Sequence, residues 1–223
     1  PDQTAERDFE NIQIRAVEND KGVCKAALEG DKTVTLGYSC VNPAICVKEL
    51  SGPDSMTGDI PLTFNAEGIA ELDMLNYPDA GTIKLTAEAT IDNAQILEGD
   101  SNVLVIPDRL AVDVKNTDDS ALGSFIRAGS NFKIEISALG VSGGLLPNYR
   151  AGNVQLALKR LTPVHDGSVD GKLNYLGENI SSGIATQFED IDLSSVTPNN
   201  GVYTLLNVNY SEFAELTLDV QDT

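Results

Sequence analysis

Hydrophobic and polar residues alternate in short runs along the chain, and stretches rich in Gly, Pro, Asn and Asp separate these runs. In residues 33–38, Val34 and Leu36 share one side of the alternation and threonines occupy the other, and residues 130–139 alternate in the same way. Alternation with a period of two predicts β-strands with one buried face. No segment carries the apolar spacing of an amphipathic helix of three turns. The pattern therefore predicts an all-β protein built from β-sandwiches.

One segment of the chain occurs twice. Residues 201–218 repeat residues 68–85 without a gap. Tyr77 and Tyr210 occupy matching positions before a late strand, where sandwich domains often use a tyrosine to tie down a corner. The identical pairs are Gly68/Gly201, Leu72/Leu205, Asn76/Asn209, Tyr77/Tyr210 and Leu85/Leu218. An internal repeat of this kind indicates one structural unit that is used twice.

The 223 residues are enough for two domains of ordinary size. We expect residues 1–8 to form a linker, and residues 9–106 and 107–223 to form two tandem immunoglobulin-like β-sandwich domains. Pro107 marks the boundary, because residues 109–115 restart the alternating pattern with which the chain opens. Since almost no linker separates the two domains, they are predicted to stack end to end as a rod.

The chain is strongly acidic, with 34 Asp and Glu against 15 Lys and Arg and a formal net charge of −19. A field of this sign repels nucleic acids and anionic lipids, so nucleic-acid binding is not expected. The longest apolar runs, such as residues 103–107, are far too short to span a bilayer, so no membrane insertion by this segment is expected. The favoured interpretation of the charge is solubility in a salty environment.

Three cysteines, Cys24, Cys40 and Cys46, lie near the start of the chain. The favoured disulfide joins Cys40 and Cys46, because the residues between them include Asn42-Pro43, a turn signal. A bond between Cys24 and Cys40 on neighbouring strands, and three free thiols, remain as alternatives. The chain has a single histidine and no Cys-x2-Cys pair, so neither a zinc site nor a cofactor is predicted.

One short motif matches a serine-hydrolase pattern. Gly140, Ser142 and Gly144 have the spacing Gly-x-Ser-x-Gly, and His165 is the single available base. This chemistry needs a strand, a strained turn and a helix around the nucleophile. The residues after Gly144 predict another strand instead of a helix. A hairpin turn is therefore favoured, no catalytic residue is assigned, and the protein is not expected to be an enzyme.

Two kinds of binding site remain as alternatives. Glu98, Asp100 and Asp108 flank the predicted domain boundary, where their oxygens could converge on calcium, but solvated loop charge is favoured and no metal is assigned. The alternative function is a carbohydrate-binding adhesin module. Such sites usually stack sugars on exposed aromatic rings, for which Tyr149 and Tyr175 are the predicted candidates, and the chain has no tryptophan.

Several longer stretches resemble a bacterial family. They include GVCKAALEGDKTVTLGYSCVNPAIC and LTFNAEGIAELDMLNYPDAGTIKLTA in the first half of the chain, and FIRAGSNFKIEISALGVSGGLLPNYRAGNVQLAL in the second. These stretches resemble the C-terminal region of MshQ-type proteins, which are encoded with mannose-sensitive haemagglutinin (MSHA) type IV pili. The resemblance covers nearly the whole chain and is most specific in the segment that holds the three cysteines.

The resemblance implies an exported protein of a Gram-negative bacterium, located at the cell surface, the outer membrane or the pilus. It implies a role in pilus biogenesis or adhesion, with pilus components or other surface protein domains as partners and a glycan as the alternative partner. Export agrees with a disulfide between Cys40 and Cys46. No catalytic residue or ligand site comes with the resemblance. The expected function is that of a non-catalytic extracellular stalk or interaction module.

Overall fold

A computed structural model describes residues 2–52, 58–91, 95–123, 126–163 and 169–223. In these residues the chain forms seventeen β-strands and no helix. It follows that the described ranges contain no helix that is long and apolar enough to cross a membrane. The predicted fold class is confirmed: the protein is all-β, and its strands form two immunoglobulin-like β-sandwich units.

The strands are numbered in chain order. In the first unit they are β1 (Gln3–Thr4), β2 (Gln13–Arg15), β3 (Val17–Asp20), β4 (Val23–Ala26), β5 (Gly30–Asn42), β6 (Gly58–Phe64), β7 (Ile69–Glu71), β8 (Gly81–Ile91) and β9 (Gln95–Ile106). In the second unit they are β10 (Arg109–Lys115), β11 (Phe132–Leu139), β12 (Val154–Thr162), β13 (Lys172–Tyr175), β14 (Glu178–Gly183), β15 (Phe188–Asp190), β16 (Val202–Tyr210) and β17 (Glu215–Asp222).

Each of the two compact units is discontinuous in sequence. The first unit comprises Pro1–Asp108 and Gly140–Tyr149, and the second comprises Arg109–Leu139 and Arg150–Thr223. The division after Asp108 lies next to Pro107, where the sequence predicts the domain boundary. Residues 140–149 belong to the first unit although their chain neighbours on both sides belong to the second. The sequence repeat does not predict that residues 140–149 belong to the first unit.

The main sheet of the first unit has five strands in the described residues, in the order β1-β9-β8-β5-β6. Its neighbours are antiparallel except β1, which runs parallel to β9. β1 lies within residues 1–8, which the sequence predicts to be a linker. In β5, Val34 and Leu36 are buried and Thr33 and Thr35 are exposed, so the predicted alternation is confirmed.

The second layer of the first unit is smaller. β2 pairs with β7, and β3 pairs with β4, both antiparallel. A turn leads from β6 to β7, in which the N–H of Gly68 donates to the carbonyl oxygen of Asn65 at 2.9 Å. Ala70 and Leu72 are buried, as are Ile60 and Phe64 of β6. The core of the first unit therefore lies between the main sheet and the β2–β7 pair.

The strands of the second unit run round a single core. Their order in the described residues is β10-β11-β16-β13-β14-β12-β15, β17 pairs with β12, and β17 approaches β10. The predicted alternation is confirmed in β11 and β12. The inward side chains of these two strands are buried: Phe132, Ile134, Ile136, Val154, Leu156 and Leu158.

The two copies of the repeat share backbone and burial features within their own units, although β7 ends at Glu71 and β16 continues to Tyr210. Gly68 and Gly201 both adopt positive φ angles, of 74° and 78°. Six residues further on, Met74 and Asn207 also adopt positive φ angles, of 60° and 58°. The paired residues Leu72 and Leu205 are both buried, and the other identical pairs also match in burial. The predicted repeat of a structural unit is confirmed, and it includes a second kink that the sequence did not indicate.

Candidate functional site

One edge of β9 is unpaired over most of its length in the described part of the chain. On one side, β9 pairs with β8 from Gln95 to Val105. On the other side it pairs only with β1, at Val105 and Ile106. Residues 96–104 therefore present a row of backbone N–H and C=O groups to solvent, along about 30 Å of strand.

Small side chains line the inner face of the β8–β9 pair along this edge. The alternation that buries Val103 and Val105 continues to Ser101 and Gly99, but these two residues are exposed. Gly99 lies directly opposite Ala87 on β8. Because Gly99 and Ser101 place no large side chain on the inner face of β9, the space between the two layers is open beside them.

This space is a cleft of about 550 Å³ within the first unit. Ile14 lies on β2 and Ile12 comes just before it. Both side chains are half-buried, and they form the wall of the cleft that faces the β8–β9 pair. The buried core residues Leu36 and Leu72 also line the cleft. A volume of this size is typical of ligand-binding clefts. An apolar group that entered it would leave water and contact the core.

The outer face of the same two strands carries acidic side chains. Glu88 of β8 lies directly opposite Glu98 of β9. Within the described ranges, neither of these carboxylates forms an ion pair, whereas Asp100 pairs with Lys84 at 3.4 Å. Like charges that lie directly opposite each other on a sheet are destabilising. A cationic group next to Glu98 would therefore be favourable.

The alternation of apolar and polar residues does not by itself predict this cleft. The available signal was the inner-face pattern of β9, in which Gly99 and Ser101 interrupt a series that includes Leu97, Val103 and Val105. Two small residues at consecutive inward positions indicate a place where a sandwich core is left unfilled.

The predicted disulfide joins Cys40 and Cys46, whose Cα atoms lie 5.4 Å apart. This prediction is confirmed, and the alternatives of a Cys24–Cys40 bond and of three free thiols are wrong. Cys24 is exposed, and its thiol is free. A disulfide fits an extracellular domain, because such bonds persist in oxidising compartments.

The two repeated tyrosines have structural roles, as predicted. Tyr77 is fully buried, and its hydroxyl lies 3.3 Å from Sγ of Cys40 and also bonds the side chain of Asn148. Burial raises the pKa of Tyr77, because the phenolate would lose its hydration. The hydroxyl of Tyr210 lies 2.8 Å from Oγ of Ser182, inside the second unit. Each tyrosine thus ties its own segment of the chain to a neighbouring one.

Ser142 lies in a tight turn, but the predicted hairpin is wrong, because the flanking strands β11 and β12 do not pair with each other in the described residues. The N–H of Gly143 donates to the carbonyl oxygen of Gly140 at 2.9 Å, and Gly143 has a φ angle of 84°. The N–H of Ser142 donates to the carboxylate of Glu6 at 2.6 Å, and its Oγ accepts from the N–H of Gly144 at 3.3 Å. These contacts stabilise a turn and place a carboxylate next to the serine backbone.

The two tyrosines proposed for sugar stacking are not exposed. Tyr149 is 3% exposed and Tyr175 is 6% exposed, so the prediction that their rings face solvent is wrong. Tyr149 closes a turn, in which its N–H donates to the carbonyl oxygen of Leu146 at 3.0 Å. Tyr175 lies on β13, and burial raises the pKa of its hydroxyl. Neither ring can stack against a sugar in this arrangement.

Two of the three acidic residues near the predicted domain boundary, Asp100 and Asp108, have partners of their own. Asp108 accepts a hydrogen bond from the Arg7 guanidinium at 2.9 Å, and Asp100 lies next to Lys84. In the ranges that the structure covers, no group of three or more His, Cys, Asp or Glu side chains is arranged to hold a metal ion. His165 lies outside the described residues.

A second cleft, of about 640 Å³, lies within the second unit. Its lining includes Glu178, Asp190 and Asp192. Asp192 accepts a hydrogen bond from the N–H of Ser194 at 2.8 Å, and the hydrogen bonds from Ser194 lower the pKa of Asp192. Asp190 accepts from the side-chain amide of Gln155 at 2.6 Å. Since these carboxylates stabilise neighbouring strands and turns, this cleft supports no ligand assignment.

Comparison with models of protein families gives a match for the first part of the chain. Residues 1–100 match a family model described as a domain of unknown function (DUF6701), first Ig-like domain. This part of the chain is similar to an Ig-like domain. No curated protein sequence matches the chain. The match agrees with the sandwich fold of the first unit, and it is consistent with a non-catalytic interaction module.

Proposed function

We propose that this chain is a non-catalytic, extracellular stalk and interaction module of a surface protein that resembles the MshQ-type proteins of MSHA pilus biogenesis and adhesion. The observation that carries the proposal is the unpaired edge of β9 beside an apolar cleft in an Ig-like unit. Exposed strand edges bind segments of other proteins by strand addition, in which the backbone supplies affinity and pockets supply specificity. The expected partners are therefore proteins, namely pilus components or other surface domains.

Two further observations support the proposal. The Cys40–Cys46 disulfide supports export to an oxidising compartment. The resemblance to MshQ-type proteins supports the cell surface of a Gram-negative bacterium and the type IV pilus as the location. As part of a stalk, the two sandwiches would carry other domains of the surface protein away from the membrane.

The surroundings of Ser142 support a role without catalysis. A serine nucleophile needs a base that accepts its proton and donors that stabilise the oxyanion. The backbone N–H groups of Ser142 and Gly144 are instead occupied, by the carboxylate of Glu6 and by Oγ of Ser142 itself. The Glu6 carboxylate, which already accepts from the N–H of Ser142, would compete with a developing oxyanion for this donor.

The proposed function predicts that the immobilised chain captures a pilin or a pilus-associated protein from sheared surface material of the source bacterium. The captured proteins are identified by mass spectrometry, and a glycan array is probed in parallel with the same protein. The expected result is capture of a pilus protein with a blank array, because the accessible site is a strand edge and the candidate sugar-stacking tyrosines are buried.

A strain that lacks the pilus operon supplies the control material. If the chain captures the same proteins from this strain, the pilus assignment is wrong. A glycan signal without any captured pilin would replace the proposed role with that of a lectin-like adhesin.

A further inference from the structure

We propose that the free edge of β9 in the first unit binds an extended segment of a partner protein whose side chains alternate between apolar and basic residues. The inference rests on the proposed function, an interaction module, and it assigns the binding surface and the chemistry of the bound segment. The segment would add a strand beside Ile96–Leu104, with its apolar side chains in the cleft and its basic side chains next to the acidic outer face.

The edge of β9 already accepts a strand at one end. β1 pairs with β9 at Val105 and Ile106, on the side that is otherwise free. Strand addition at residues 96–104 would extend this existing ladder by continuing the same row of backbone hydrogen bonds. The pairing of β9 with β8 is continuous to Gln95, so the backbone of the edge is held in an extended conformation before any partner binds. A pre-ordered edge reduces the conformational entropy lost on binding.

The cleft determines which type of side chain the bound segment would place on the inner face. On an added strand, alternate residues would point to the inner face, beside Gly99 and Ser101. The space there is bounded by Ile14, Leu85 and other apolar side chains, and a Cβ atom placed on Gly99 would meet no atom within 4 Å. Medium-sized apolar side chains fit this space, and their burial would drive binding.

The acidic outer face determines which type of side chain the bound segment would place on the opposite face. The remaining residues of an added strand would lie on the outer face, next to Glu98 and Asp100. Glu88 and Glu98 repel each other across the β8–β9 pair. A Lys or Arg side chain next to Glu98 would relieve this repulsion, and an acidic side chain would increase it. The acidic charge of the chain as a whole, −19, favours the same choice through long-range attraction.

The test measures binding of a synthetic ten-residue peptide that alternates valine and lysine. Its composition isomer, five valines followed by five lysines, has the same charge but cannot place apolar and basic side chains on opposite faces. Both peptides carry a fluorophore, and binding to the full chain is followed by anisotropy. The proposal predicts that the alternating peptide binds at least tenfold more tightly than the isomer and that it protects backbone amides of residues 96–104 from hydrogen exchange.

Two substitutions test the two faces separately. Gly99→Phe places a ring in the cleft and is expected to weaken binding of the alternating peptide at least tenfold. Its control is Thr33→Phe, which adds the same ring to an exposed position on β5.

Glu98→Lys is expected to weaken binding of the alternating peptide while raising the melting temperature of the first unit by about 1 °C, because it replaces a repulsive pair with an attractive one. Its control is Glu29→Lys, which makes the same charge change at another exposed position of the first unit.

Several results would overturn the proposal. Equal affinity for the two peptides would show that charge alone drives binding. Protection of amides elsewhere, or unchanged binding by Gly99→Phe, would place the site away from β9. Self-association of the chain that Gly99→Phe abolishes would identify the occupant as a second copy.

The outcome also separates this proposal from the proposed function. Failure of the peptide to bind, together with capture of pilus proteins, would reject the β9 edge and leave the interaction module in place. Binding of the peptide without capture from surface material would support the edge and reject the pilus assignment.

Discussion

Replacing Tyr77 with alanine is expected to lower the free energy of unfolding of the first unit by about 3–5 kcal/mol, the usual cost of removing a large buried ring. Tyr77 is fully buried in the repeat, and its hydroxyl contacts Cys40 and Asn148. Asn148 belongs to the segment 140–149, so the tyrosine connects two stretches of chain that are distant in sequence within one unit. Its removal would leave a cavity and unpaired polar groups together.

Denaturant unfolding, followed by hydrogen exchange of strands in each unit, measures this effect, because a chain with two units need not unfold in a single step. Tyr77→Phe is the first control and should cost only about 1 kcal/mol, the contribution of the hydroxyl contacts. Tyr210→Ala is the matched variant of the second unit and should lower protection in that unit. A loss below about 1 kcal/mol for Tyr77→Ala would contradict the structural role assigned to this residue.

Gly68→Ala is expected to destabilise the first unit by about 3 kcal/mol, which combines a disfavoured backbone conformation with steric overlap. Gly68 has a φ angle of 74°. A Cβ atom at this position would overlap the carbonyl oxygen of Ala16 and lie 3.1 Å from Cα of Ala26. Both of these are backbone atoms, so the clash cannot be relieved by a side-chain rotation.

Gly30→Ala separates the two contributions. Gly30 has nearly the same φ angle, 73°, but a Cβ atom there would meet no atom within 4 Å. Its substitution should therefore cost only about 1 kcal/mol. Both variants are compared by chemical denaturation with the same probe. Equal losses for the two variants would show that the close approach of Gly68 to the neighbouring backbone does not limit the fold.

The sequence predicts the strands well, because alternation reports directly on which side chains face a core. Val34 and Leu36 in β5, and Ile134 and Ile136 in β11, are buried as their spacing indicates. The repeat is also visible in the sequence, since identical residues in the two copies occupy sites with the same burial. Both features can be predicted from one sequence, because each depends on the order of apolar and polar residues within a short segment.

The sequence does not predict features that depend on packing between distant segments. Residues 140–149 join the first unit through contacts such as that of Ser142 with Glu6, which no local pattern encodes. Tyr149 and Tyr175 occur in polar, glycine-rich surroundings that indicate exposure, and they are buried by residues from elsewhere in the chain. Met74 and Asn207 adopt positive φ angles without being glycines, so composition gives no sign of the kink.

The candidate site depends on an unpaired edge, and no single strand reveals whether its neighbour is present. The sequence of β9 alternates as a paired strand would, and only the sheet order shows that residues 96–104 have one partner rather than two in the described chain. The small residues Gly99 and Ser101 indicate the opening between the two layers only when the edge beside them is known to be unpaired.

The most direct test of the account is capture from sheared bacterial surface material by three forms of the chain in parallel. These forms are the unchanged protein, Gly99→Phe and Thr33→Phe, each verified to be folded by circular dichroism. The account predicts that the unchanged protein and Thr33→Phe retain the same pilus-associated protein, and that Gly99→Phe retains at least tenfold less. Equal retention by all three forms would contradict the claim that this module binds its partner through the edge of β9.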